Sequence, residues 1–144
     1  MKHLELVQKY LSNLGVLNVK FHNLHWNVVG GQFMQVHNFT EEIYDKLFED
    51  LDEVAELLKM KNIMPLSTIA DYLANSTIEE VNPKDFSVKE SLEIAKKDLE
   101  LMKELATEIR NLADEDGDFE TVAIFEDYVA FYSKNIWFIN SMLK

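Results

Sequence analysis

The 144-residue chain has no cysteine. Disulfides, zinc–thiolate sites and thiol catalysis are excluded with it. Breakers are few, two prolines and four glycines, so long helices can run uninterrupted. No apolar run is long enough to span a bilayer. The opening MKHLELVQKY lacks the apolar stretch of a signal peptide, and a soluble, cytoplasmic protein is expected. Positive charge is also scarce: 14 Lys and Arg stand against 26 Asp and Glu, a net charge of −12. That balance argues against nucleic acid and anionic membranes as direct partners and suits attraction of cations. What the chain does have is apolar residues, 47% of it, over a length that favours one domain, residues 1–144, with a real core.

Four helical stretches follow from the spacing of those apolar residues. The first, from about Leu4 to Val28, has the stripe Leu4, Val7, Leu11, Leu14, Leu17, Phe21 and Leu24, and ends near Gly30-Gly31. The second, about Gln32 to Lys61, has the stripe Val36, Thr40, Ile43, Leu47, Leu51, Val54 and Leu58. Its opposite side is acidic: Glu42, Asp45, Glu49, Asp52, Glu53 and Glu56. The pattern breaks between Asn62 and Phe86, where Pro65 and Pro83 bracket a possible short helix from Ser67 to Ala74. So long a connection can cross the length of a bundle, so the helices on either side of it are expected to run parallel. The third helix opens on the capping box Ser87-Val88-Lys89-Glu90 and closes on the acidic turn Asp114 to Asp118. The fourth, about Phe119 to Leu143, is apolar on two sides: Val122, Val129, Ile136 and Trp137 on one, Phe125, Tyr128, Phe131, Tyr132, Phe138 and Ile139 on the other. One bundle core needs one stripe, and the second predicts burial against other subunits. The fold class is all-α.

The chemistry concentrates between His22 and Glu56. His22, His25, His37, Asp52 and Glu56 are all possible metal ligands. His25 and His37 flank the Gly30-Gly31 turn, and Asp52 and Glu56, four apart, share a helix face. Imidazole with carboxylate suits iron(II), manganese(II) or zinc. One chain cannot bring all four together. Asp52 lies 15 residues beyond His37 on one helix, roughly 22 Å along its axis. Two readings remain at this point. Either the sites are unrelated, or a second copy related by a twofold axis brings its Asp52 and Glu56 to these histidines. The plain alternatives are histidines that hydrogen-bond near a helix end and carboxylates on a solvated face. None of the four histidines has Glu three positions before it, so an intrachain di-iron site of the Glu-x-x-His kind is not expected.

The string KFHNLHWNVVGGQFMQVH, Lys20 to His37, followed by DEVAE, Asp52 to Glu56, closely resembles the Dps family of mini-ferritins. The likeness continues into Gly117-Asp118, Thr121 and Ile136-Trp137. The resemblance implies a ferritin-like four-helix bundle with a short helix in the long connection, assembled as a hollow homo-dodecamer. It implies a ferroxidase centre at the twofold interface, with His25 and His37 from one chain and Asp52 and Glu56 from its partner. The family oxidises iron(II), preferably with hydrogen peroxide, and stores iron(III) as a mineral, which protects against oxidative stress.

There are departures. The family often follows the ligand Glu with Arg and ends that helix on Leu-Gly, where this chain has Leu57 and Met60-Lys61-Asn62. Its DNA-binding members carry basic tails. Here Lys2 and Lys9 are the only cations before Lys20, and Lys144 follows directly on the fourth helix, so DNA binding is not expected. A DNA-compacting nucleoid protein is the alternative function, and a metal-free structural bundle a third. Trp26 has two readings, core packing or interception of stray oxidant. The segment from Asp114 to Glu120 likewise has two, an iron entry pore or a solvated loop.

Overall fold

The computed structural model describes residues 1–144 as five helices and two very short strands. Helix α1 is Lys2–Asn27, strand β1 Val28–Val29, helix α2 Phe33–Met60, helix α3 Ile69–Asn75, strand β2 Phe86–Ser87, helix α4 Val88–Glu115 and helix α5 Phe119–Leu143. The predicted α1 stripe is buried throughout, as is that of α2 apart from the half-buried Leu51. The short helix begins two residues later than expected, because the Thr68 side chain caps it by accepting the Asp71 N–H. The Ser87–Glu90 capping box opens α4 as predicted, with both reciprocal bonds formed.

Helix α1 stops at Asn27 rather than Val28. The two β-branched valines leave the helix and pair in parallel with β2, Val28 with Phe86 and Val29 with Ser87. Gly30 then turns the chain at φ +126°, a conformation a side chain would strain. At the far end of α2, Asn62 takes φ +60°. The Ile63 N–H reaches the Leu58 carbonyl, and the Asn62 N–H reaches that of Lys59. This is the left-handed helix ending that glycine usually supplies; asparagine is the common substitute. Met60-Lys61-Asn62 thus does the work of the Leu-Gly it departs from.

Three polar residues of α1 guide the crossover back along the bundle. Gln8 bonds the backbone of Met64 and Leu66, Asn13 bonds Ser76 and Thr77, and Asn23 bonds the Val81 carbonyl. The connection therefore ascends alongside α1, and α4 starts beside the end of α1. Helices α2 and α4 run parallel, as the length of the connection predicted. Phe125, Tyr128, Tyr132 and Ile139 of α5 face the core, where Tyr10 stacks on Tyr128. The other side of α5 is not covered within the chain: Val122, Val129 and Ile136 are half-buried, and Trp137 is 63% exposed.

Candidate metal centre

His25 closes α1, and His37 stands in the second turn of α2. The glycine turn folds one helix back on the other and lays the two imidazoles face to face, ring centres 3.6 Å apart and 14° from parallel. Each ring is locked by the other residue's backbone. His25 Nδ1 lies 2.6 Å from the His37 carbonyl oxygen, and His37 Nδ1 lies 2.8 Å from that of His25. A carbonyl only accepts, so both Nδ1 atoms carry hydrogen. In the neutral ring Nε2 then holds the lone pair, and neither Nε2 has a hydrogen-bond partner. Burial lowers the His25 pKa, against the backbone bond to His37, which raises it. The neutral, metal-binding form is thereby favoured.

Phe33 stacks on His37 at 4.9 Å, and the Tyr44 edge meets His25 at 5.2 Å. Two residues that the sequence reading did not assign to the centre join it. Thr40, placed in the apolar stripe, is buried with its hydroxyl 3.3 Å from His25 Nδ1, and it donates to the Val36 carbonyl. Glu41 brings a carboxylate oxygen 3.8 Å from His25 Nε2. Its signal was the spacing of four from His37. His22 is held in the same way, Nδ1 to the Asn18 carbonyl at 2.6 Å, but it stacks on Tyr44 and lies outside the His25–His37 pair.

Asp52 and Glu56 are exposed on α2 and make no hydrogen bond or ion pair within the chain. Since α2 is one unbroken helix from Phe33 to Met60, they stand roughly 22 Å or more from His37 along its axis. No group of three His, Cys, Asp or Glu side chains converges within one chain. The structure thus brings the two histidines together and leaves the two carboxylates apart from them, as the helix rise required.

Two expectations need correction. Trp26 is not a core residue of this chain: it is 67% exposed, with its ring 5.3 Å from that of His22, because it points away from the stripe that packs on α2. Asp118 does not belong to a solvated loop. It is buried, and its carboxylate receives Lys61 Nζ at 2.5 Å, His3 at 2.9 Å and the Thr121 hydroxyl at 2.7 Å. Asp114, Glu115, Asp116 and Glu120 around it are exposed. No helix is long and apolar enough to cross a membrane.

Comparison with known proteins agrees with this architecture. The ferritin-like domain matches residues 4–144. The antigen TpF1 of Treponema pallidum is 34% identical over 97% of this chain and 79% of its own length. Its crystal structure superposes with a TM-score of 0.97, covering 99% of this chain and 92% of that one. The DNA protection during starvation protein of Helicobacter pylori is 31% identical over 99% of both chains. A Dps protein from Vibrio cholerae, described as a member of a broad superfamily of ferritin-like diiron-carboxylate proteins, is 28% identical with a TM-score of 0.93. That match covers 99% of this chain and 89% of the other.

Proposed function

The chain belongs to the Dps family of ferritin-like proteins, and on that footing we propose that it is a ferroxidase, oxidising iron(II) and storing the product as iron(III) mineral inside a hollow homo-dodecamer. The observation that carries this reading is the reciprocal backbone lock of His25 and His37, which leaves the Nε2 lone pairs of two stacked imidazoles without a hydrogen-bond partner. Iron(II) is the substrate. His25 and His37 of one chain bind it through Nε2, and Asp52 and Glu56 of a twofold-related copy supply the oxygen donors. Asp52 and Glu56 have no partner within their own chain, which suits them to that role. Glu41 adds a carboxylate from the histidine side.

The carboxylates offset the charge of the incoming cation, and oxygen donors favour the ferric product. Hydrogen peroxide is the proposed oxidant. Two iron(II) ions supply the two electrons that take one peroxide to water, so no hydroxyl radical is released. Iron is thereby removed from radical chemistry, which protects the cell under oxidative stress. The half-buried side of α5 supports assembly.

The test is anaerobic titration with iron(II), then addition of peroxide. The expected result is saturable binding at the shared centres, then oxidation consuming about one peroxide per two iron(II), with iron retained by the protein. Oxidation no faster than in buffer would sink the proposal. The alternative of a DNA-compacting nucleoid protein is opposed by the net charge of −12.

A further inference from the structure

At the end of the bundle remote from His25, the His3 side chain is completely buried. Twenty-two helical positions separate the two, roughly 33 Å along α1. His3 Nε2 lies 2.9 Å from Asp118 Oδ2, and Nδ1 lies 3.1 Å from Asp116 Oδ2. The two contacts differ in kind. Nε2 makes a directed hydrogen bond, whereas Nδ1 has no hydrogen-bond partner, because the Asp116 carboxylate lies off its axis.

Asp118 fixes the ring. Burial works against its charge, but the bonds from Lys61, His3 and Thr121 prevail and hold its carboxyl well below the usual carboxylate range. It is therefore an ionised, firmly held acceptor for the Nε2–H. With hydrogen on Nε2, Nδ1 presents a buried lone pair to a carboxylate oxygen 3.1 Å away. Two electron-rich atoms at that distance repel each other unless a second ring proton or a metal ion lies between them, and a proton would need the carboxylate on the Nδ1 axis, where it does not lie. A carboxylate that takes one ring N–H while the other nitrogen stands open is the usual support of a metal-binding histidine. The off-axis oxygen fits the same reading. An ion on the lone-pair axis, about 2.1 Å from each donor, places its second donor off that axis and roughly 3.0 Å (octahedral) to 3.4 Å (tetrahedral) from the nitrogen.

We propose that His3 Nδ1 and Asp116 Oδ2 bind a first-row divalent cation, with water completing its shell. Asp116 is on the exposed side and gives the ion its approach, among Asp114 and Glu115. Lys61, the cation nearby, is engaged by Asp118 and Glu120.

The test uses the full-length assembled protein carrying Asp52→Ala and Glu56→Ala, which weakens the shared centres at exposed positions, and measures zinc(II) by equilibrium dialysis at pH 7.5. A saturable site of about one zinc per chain is expected beyond any held by the histidine pair. Adding Asp116→Asn or His3→Gln should weaken it about 10- to 100-fold. Glu115→Gln, which removes the same charge one residue away, should leave it unchanged. Absence of that site would overturn the proposal. So would equal weakening by Asp116→Asn and Glu115→Gln, which means diffuse attraction to the acidic turn. Should His3→Gln fail to fold, the exposed Asp116→Asn decides alone.

Discussion

The Nδ1–H of His25 is bonded to the carbonyl of His37, and the Nδ1–H of His37 to the carbonyl of His25, so each imidazole is aimed by the other's main chain. The geometry of the pair thus depends on the backbone of the glycine turn more than on neighbouring side chains. His25→Ala and Asp52→Ala should each nearly abolish fast iron oxidation. Co-refolding the two inactive variants should restore up to roughly a quarter of wild-type activity. Random pairing makes about half the dimers mixed, and each mixed dimer holds one intact site of two. Mass spectrometry would establish mixing. Mixed assemblies without activity would remove the shared site.

The partly uncovered side of α5, with Trp137 63% exposed, predicts one large species at micromolar concentration. Light scattering or sedimentation should give the mass of a dodecamer. A stable monomer would contradict both the assembly and the shared centre.

A net charge of −12 predicts no binding to duplex DNA at physiological salt and neutral pH. A gel shift persisting in the presence of a chelator would reverse this; one abolished by the chelator would point to metal bridging.

Lys20 and Asp98 form a buried ion pair at 2.8 Å between α1 and α4. Burial raises the Asp98 pKa, and Lys20 only partly opposes it. The folded chain therefore holds that proton more tightly than the unfolded one. As pH rises from the ordinary aspartate range, about 3.9, through the raised value, this group's contribution to stability falls; above that it is constant. Lys20→Met should cost about 3 kcal/mol at neutral pH by stranding a buried carboxylate, and acidification should relieve the loss. Asp98→Asn should cost less. The double variant Lys20→Met with Asp98→Leu should recover the stability and lose the pH dependence. Denaturant midpoints across the range would decide; equal costs for the two single changes would contradict the assignment.

A Cβ on Gly15 would stand 2.5 Å from the Tyr72 ring. Helix α3 has no buried residue, so it should yield before α1 does. Gly15→Ala is expected to add about 1–3 kcal/mol of local strain, offset in part by better helix propensity. Hydrogen exchange should quicken over Ile69–Asn75 and stay slow in the middle of α1. Unchanged exchange in α3 would mean the ring simply swings aside.

The long helices were legible because their apolar stripes repeat at helical spacing, and the parallel course of α2 and α4 followed from the length of the connection. The separation of His37 from Asp52 needed only the helix rise. Other features rest on contacts distant in sequence and left no local trace. Gln8, Asn13 and Asn23 look like ordinary surface residues of α1 until the crossover lies against them. The strand pair, two residues on each side, is too short for alternation to reveal. The locking of His25 and His37 uses carbonyl groups, which every residue carries. Trp26 was misplaced because aromatic character alone does not say which side of a helix is covered. Asp118 was misplaced because its neighbours in sequence are exposed and its partners lie on other helices.

The pairing of Val28 with Phe86 and Val29 with Ser87 carries a consequence for how this chain can vary. It clasps the end of α1 to the start of α4 from both sides of the crossover. Extra residues placed between Val81, the last point tied to α1 by a side chain, and Asp85 would be taken up as slack, because the clasp, and not the span of the connection, sets where α4 begins. Extra residues between Gly30 and Phe33 have no such refuge and would pull the carbonyl of His25 away from the ring of His37. The two stretches that flank the strand pair therefore differ sharply in their tolerance of length change, the end of the crossover elastic and the glycine turn fixed to the residue.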